Sequence, residues 1–181
     1  MIVQLAGLPG AGKTTVAEAL AERLGDRAVH LDKDRVRNAH FGILTEYTRS
    51  QDDFCMELVY ATAAWHLSRR TNMIVILDGR TCSRRYQINR TREFARYTAH
   101  PLHVIECVCR EETAHARLAR GTDQHPAANR DFALYQRLRD TSEPLVIDRL
   151  RLDTDQPVAQ CVGRCLEFLF SRGSATQEVP L

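Results

Sequence analysis

The chain has 181 residues, enough for one domain with a sizeable core, and its formal net charge of +2 excludes a gross electrostatic commitment to nucleic acid or anionic membrane. No apolar run approaches the roughly 20 residues of a membrane-spanning helix, and Met1 runs straight into the first apolar stretch without room for a leader, so a cytoplasmic location is expected. Lys13 and Lys33 are the only lysines among 25 basic residues, which leaves 23 arginines. That bias suits bidentate phosphate recognition and also follows from a GC-rich genome, and counting does not separate the two. The six cysteines form no C-x-x-C pair and the seven histidines no zinc cadence, so reduced, partly buried thiols and no metal role for histidine are expected.

Ile2-Val3-Gln4-Leu5-Ala6 predicts a buried strand that opens onto Gly7-Leu8-Pro9-Gly10-Ala11-Gly12-Lys13-Thr14, a match to G-x-x-x-x-G-K-[ST]. Such a loop curls backbone N–H groups around a polyphosphate, and Gly7, Gly10 and Gly12 permit the close approach that this requires. Lys13 reaches the β and γ phosphates, Thr14 offers a hydroxyl to Mg2+, and the following helix points its positive end at the anion. Val16, Ala17, Leu20, Ala21 and Leu24 recur at helical spacing and Gly25 is a stop signal, so the strand–loop–helix setting of the motif is present. The candidate nucleotide-binding set is therefore Gly7, Leu8, Pro9, Gly10, Ala11, Gly12, Lys13, Thr14 and Thr15.

Ala28-Val29-His30-Leu31 predicts a second strand, followed at once by Asp32-Lys33-Asp34-Arg35-Val36-Arg37. Open α/β sheets bind ligands at the carboxyl ends of their strands, which favours function over a solvated turn for this cluster. An Asp at that edge can accept the proton of an attacking hydroxyl or hold metal, and an Arg three residues on, on the same helical face, can hold an acceptor's anionic group. Residues 41–47 read as a loop, and residues 50–70 as a helix with Phe54, Leu58, Ala61 and Trp65 along its core face. The apolar run 73–77 predicts a strand buried on both faces, ending in Asp78-Gly79-Arg80-Thr81. An apolar run ending in Asp is the usual partner of a phosphate loop, its carboxylate ordering Mg2+ directly or through water.

Ser83 is the expected N-cap of a helix running to about Tyr97, with Arg80 and Arg84 facing the acceptor and most other arginines solvated. Residues 102–108 form a fourth strand, and a helix from about Glu112 carries Arg117 and Arg120 in its last turn. Loop formers then crowd residues 121–130, so residues 117–130 are expected to act as a lid that brings guanidinium charge to a transferring phosphoryl group. A helix over 131–140 places Phe132, Tyr135 and Leu138 on one side, a fifth strand lies within 145–152, and a final helix opens near Pro157. Its stripe of Val158, Val162, Cys165, Leu166 and Leu169 is expected to pack on the sheet. The expected organisation is one domain over residues 1–172 with a tail at 173–181.

Three blocks resemble the P-loop kinases of the group that includes polynucleotide 5′-kinase, adenylylsulfate kinase and chloramphenicol phosphotransferase. They are Gly-Leu-Pro-Gly-Ala-Gly-Lys-Thr-Thr at 7–15, Asp-x-Asp-x-x-Arg at Asp32, Asp34 and Arg37, and Arg-Leu-Ala-Arg-Gly-Thr at 117–122. The resemblance runs over residues 2–154. It implies an α/β three-layer P-loop NTPase fold, with a mostly parallel five-stranded sheet flanked by helices and an arginine-containing lid. On the polynucleotide kinase pattern Asp34 is the catalytic base, Arg37 an acceptor contact and Arg120 the lid arginine beside the catalytic Lys13. Arg117 joins the ATP-binding set, Arg80 and Arg84 the substrate-binding set, and Thr14, Asp32 and Asp78 the Mg2+ set.

Residues 76–81 also look like the Asp-Gly-Phe-Pro-Arg block of adenylate kinases shortened by two residues, a departure that sets nucleoside monophosphate kinase behind a hydroxyl kinase. The expected activity is transfer of the γ-phosphoryl group of ATP to a hydroxyl of a small molecule: a metabolite, nucleoside or antibiotic. A polynucleotide 5′-hydroxyl kinase is the alternative within the enzyme class, and a nucleotide-dependent regulatory protein the alternative outside it. No Asn-Lys-x-Asp guanine reader exists in the chain, which argues against a GTPase switch.

Overall fold

Short strands that are apolar on both faces must be covered on both sides, and the computed structural model, which describes residues 1–120 and 131–171, does this with one sheet and two helical layers. The strands are β1 (Ile2–Ala6), β2 (Ala28–Asp32), β3 (Ile74–Asp78), β4 (Leu102–Val108) and β5 (Leu150–Asp153), in the order β2-β3-β1-β4-β5. Every pairing is parallel, so the expected mostly parallel sheet is wholly so. The helices are α1 (Lys13–Leu24), α2 (Lys33–Phe41), α3 (Arg49–Arg69), α4 (Arg85–Tyr97), α5 (Glu111–Arg120), α6 (Phe132–Thr141) and α7 (Val158–Phe170). No helix among the described residues is long and apolar enough to cross a membrane. The expected lid residues 121–130 and the tail at 173–181 lie outside the described residues.

Alternation along the strands assigns the two faces. Val3 and Leu5 of β1 and Ile74 and Ile76 of β3 point towards α1 and α7, joining Val16, Leu20, Cys161, Cys165 and Leu169. Ile2, Val75 and Leu77 point the other way, onto Met56, Val59, Tyr60 and Ala63 of α3 and Ala95 of α4. Leu20 is fully buried in the first layer, where truncation to Ala costs about 2–5 kcal/mol. The second layer also buries polar groups: Gln4 and Thr91, both at 0% exposure, are joined by a hydrogen bond that Gln4 accepts from Thr91 Oγ1 at 3.1 Å, and the Tyr60 hydroxyl lies 2.9 Å from Thr91.

Several local expectations change. Helix α3 buries Cys55, Met56, Val59, Tyr60, Ala63 and Leu67, while Phe54 and Trp65 are 55% and 56% exposed. The helix carries two apolar stripes of equal period, and packing against the sheet selects the one with smaller or more flexible side chains. The excluded rings find lateral partners, Phe54 edge-on to Phe41 at 5.9 Å and Trp65 beside the Arg69 guanidinium at 5.3 Å. Helix α4 begins at Arg85 with Arg84 as its N-cap, not Ser83, because the Gln87 side chain reaches back to accept from the Arg84 N–H at 3.2 Å. Ser83 pairs instead with the Thr81 hydroxyl at 3.0 Å.

Residues 41–47 are not all loop: α2 extends to Phe41 before a 3-10 turn at Gly42–Leu44. Strand β5 is confined to four residues, and Leu145 and Ile147 pack as irregular chain against Ala6, Cys82, Ile88 and Val104. Val158 is 41% exposed, and Cys161 takes its place on the sheet. All six cysteines are free thiols. Burial pushes those of Cys82 and Cys165 up to about 12, so they act as small apolar side chains.

Candidate active site

The phosphate loop follows from close backbone approach at Gly7. Its φ is +134°, and a Cβ there would stand 2.3 Å from the Cys107 carbonyl oxygen of β4, so only glycine lets the loop lie against that strand. The Gly7 N–H donates to the Thr81 carbonyl at 3.0 Å, which ties the loop's start to the chain leaving β3. Lys13 Nζ donates to the Gly7 and Leu8 carbonyls at 2.9 and 3.0 Å, holding the ammonium across the loop. Helix α1 begins at Lys13 with Gly12 as an N-cap that provides no side-chain acceptor, so its first N–H groups are available to an anion.

Two carboxylates meet at the next strand ends. Asp32 and Asp78 are register partners at the carboxyl ends of β2 and β3, 4% and 0% exposed. Asp32 Oδ1 accepts from the Asp34 N–H at 2.8 Å, capping α2, and Asp78 Oδ2 accepts from His30 Nε2 at 3.3 Å. The remaining oxygens, Asp32 Oδ2 and Asp78 Oδ1, are buried without a hydrogen-bond partner. Burial alone would raise Asp78, but the His30 imidazole, the Lys13 charge, the Gly79 N–H and the Thr14 hydroxyl outweigh it and hold the group down to about 2. Burial, and then the neighbouring Asp78 charge, raise Asp32 above the ordinary carboxylate range. Gly79 has a φ of +85°, and a Cβ there would fall 2.8 Å from Asp32 Oδ1, so this glycine lets the β3 turn pass beside the carboxylate.

Oxygen donors with orphaned lone pairs suit a hard divalent cation. No cluster of three or more His, Cys, Asp or Glu ligands occurs among the described residues, so Mg2+ would rest on Asp32, Asp78 and Thr14, with phosphate oxygens and water completing its shell. On those residues the donor set fits.

Two cavities flank this point and share Lys13 and Thr14. One, of about 300 Å³, is lined by Gly10, Gly12, Thr15, Arg117, Thr154, Gln156 and Val158, between α1, α5 and the turn after β5. Arg117 locks its wall by donating to the Gly10 carbonyl at 3.3 Å, the Thr154 hydroxyl at 3.1 Å and the Thr154 carbonyl at 2.7 Å. Thr154 in turn donates to the Ala11 carbonyl at 3.0 Å. The other cavity, of about 230 Å³, lies over β2 and β3 and is lined by Pro9, Lys33, Asp34, Arg37, Tyr47, Asp52, Arg80, Ser83, Leu134 and Leu138.

Asp34 and Arg37 do share a helical face: Arg37 Nη1 donates to Asp34 Oδ1 at 2.6 Å. Arg37 is 1% exposed and also pairs with Asp52, while Arg80, 2% exposed, pairs with Asp53. Arg84 is not brought to this cavity. It is half-buried and turned onto Thr141, donating to that residue's carbonyl and, at 3.3 Å, to its hydroxyl. Arg120 is exposed at the end of α5, beyond both cavities' described linings.

Sequence reasoning missed His30, Lys33, Asp52 and Thr154. His30 sits mid-strand with no motif around it, and Asp52 lies on a different helix from its partners, so spacing offered no signal for either. Thr154 had one faint signal, its position directly after the last strand.

A family model described as AAA domain matches residues 2–145 of the chain. No curated protein matches it. Among solved structures, the APS kinase of Mycobacterium tuberculosis in complex with AMPPNP and APS is similar at 16% identity and a TM-score of 0.69, covering 93% of this chain and 96% of that one. A gluconokinase from Sinorhizobium meliloti 1021 is similar at 19% identity and a TM-score of 0.61, covering 94% and 96%. Chaetomium thermophilum Kti12 in complex with ADP-AlF3 is similar at 17% identity and a TM-score of 0.67, covering 93% and 98%. At these identities the structures share the fold.

Proposed function

Because the chain belongs to the AAA domain family and has the P-loop kinase fold, we propose that it is an ATP- and Mg2+-dependent kinase that phosphorylates a hydroxyl of a small molecule. The observation that carries this reading is that two separate cavities meet at Lys13 and Thr14. A kinase needs a nucleotide and an acceptor to approach one phosphoryl group from opposite sides, and a nucleotide switch has no use for the second cavity.

In this reading ATP's polyphosphate lies in the loop from Gly7 to Thr15, its nucleoside between Arg117 and the Thr154–Val158 turn. Lys13 meets the β and γ phosphates, and Thr14, Asp32 and Asp78 hold Mg2+, which neutralises phosphate charge when bound. Asp34 accepts the acceptor's hydroxyl proton as the new O–P bond forms, and the bond from the γ phosphorus to the β–γ bridging oxygen breaks to release ADP. Arg37 and Arg80 orient the acceptor, and Arg120 delivers charge to the transferring group.

The test is a mass-spectrometric screen of alcohols, nucleosides and 5′-hydroxyl oligonucleotides with ATP, read as the gain of one phosphoryl group. Small alcohols are expected to be the acceptors, with a KM that barely moves with salt. An oligonucleotide as best acceptor, its affinity falling by about one power of salt per contacted phosphate, would instead assign a polynucleotide kinase.

A further inference from the structure

We propose that the acceptor is a small uncharged polyhydroxyl compound, and that Asp52 sets this specificity by neutralising Lys33 and Arg37 at the floor of the acceptor cavity. The inference rests on the kinase reading above and names the acceptor class that reading leaves open.

Besides Lys13, which spans the phosphate loop, three buried cations line the cavity: Lys33, Arg37 and Arg80, at 6%, 1% and 2% exposure. Left bare they would select an anion, since a buried charge demands a counter-charge. None of them is bare. Asp52 Oδ1 accepts from Lys33 Nζ at 2.8 Å and from Arg37 Nη2, so one carboxylate oxygen bridges two cations from another helix. Asp34 Oδ1 accepts from Arg37 Nη1 at 2.6 Å and stands 3.2 Å from Lys33 Nζ. Asp53 takes Arg80, whose guanidinium also lies 5.7 Å from the Tyr86 ring.

Among the described residues, then, these three cations are matched by three carboxylates, and Lys13 is left to the phosphates of the nucleotide. An anionic acceptor would meet Asp34 and Asp52 and would have to part buried pairs to reach a cation, an exchange that leaves a carboxylate uncompensated. What this wall offers instead is polarity with its charges already paired. Arg37 Nε and Arg80 Nε are buried N–H groups with no hydrogen-bond partner, and the carboxylates beside them accept. A hydroxyl both donates and accepts, so a compound carrying several of them satisfies such a mixed wall. The cavity's volume of about 230 Å³ is below the range of roughly 300–1,000 Å³ usual for ligand sites, which favours a small compound.

The experiment has two arms. In the first, polyols are offered with ATP alongside the carboxylate or phosphate ester of the same skeleton, and wild type is expected to prefer the uncharged member by about tenfold or more in kcat/KM. In the second, inorganic sulfate is titrated calorimetrically into protein whose phosphate loop is filled with Mg2+ and a non-hydrolysable ATP analogue. Wild type should give no binding, whereas D52N, with Lys33 and Arg37 under-compensated, should bind sulfate and move the pairwise preference towards the acid by about tenfold. D53N asks the same of Arg80 from a partly exposed position, should D52N not fold. Preference of wild type for the acidic partner, or sulfate binding to wild type as tight as to the variants, overturns the inference. If no alcohol is phosphorylated, the kinase reading fails and the sulfate arm, which needs no turnover, decides the charge question alone.

Discussion

Asp32 and Asp78 stand side by side at the ends of paired strands, each with a buried carboxylate oxygen left without a hydrogen-bond partner. Their mutual repulsion contributes to raising Asp32, while the His30 hydrogen bond keeps Asp78 ionised. A divalent cation bound between them would relieve that repulsion and stabilise the folded state by mass action. Melting temperature should therefore rise when Mg2+ is added to the ADP-bound protein, and Asp78→Asn should remove most of that Mg2+-dependent part. A D78N protein that responds to Mg2+ as wild type does would take this carboxylate out of the metal set.

Lys13→Ala should abolish ATP binding and turnover together, because the ammonium spans the loop and meets phosphate in ground and transition states alike. Calorimetric titration of ATP and a phosphoryl-transfer assay check the two halves. Undiminished turnover would remove the basis for the nucleotide site.

Two arginines one turn apart on α5 should behave differently. Arg117 is built into the wall that joins Gly10 to Thr154, so Arg117→Ala should weaken ATP binding and lower the melting temperature. Arg120 is exposed, and Arg120→Ala should leave both nearly unchanged while lowering kcat by about a hundredfold or more, as loss of an electrostatic donor does. A kcat at the wild-type level in R120A would pass the role to another arginine.

For the base, Asp34→Asn should leave ATP binding intact and remove most transfer, since the amide keeps the shape and cannot take a proton. Asp32→Asn is the control. Its side-chain oxygen can still cap α2, so it should fold and should change Mg2+ dependence more than the chemical step. A dead D32N beside an active D34N would reverse the two assignments.

A buried polar contact away from the site stabilises the fold. Thr91→Val keeps the shape but leaves Gln4 Oε1 without its donor, which should cost about 1–3 kcal/mol. Each kcal/mol lowers the melting temperature of a domain this size by about 2–4 °C. ATP affinity should stay unchanged, because Thr91 lies in neither cavity.

Local chemistry determined what was legible in the sequence. The phosphate loop, α1 and the Asp that ends β3 are contiguous patterns whose function needs those residues at that spacing, and five strands with their intervening helices followed from apolar runs and stop signals. The pairing of Asp34 with Arg37 was visible for the same reason, being three residues apart on one helix. Tertiary structure decided whatever joins distant segments. Which stripe of α3 faces the sheet depended on fit against Ile2, Val75 and Leu77, and two stripes of the same period cannot be told apart without that surface. Arg84 turned to Thr141 because α6 ends beside it. Asp52 reached Lys33 and Arg37 only because α2 and α3 pack together, and the pairing of charges in the proposed acceptor cavity belongs to that packing.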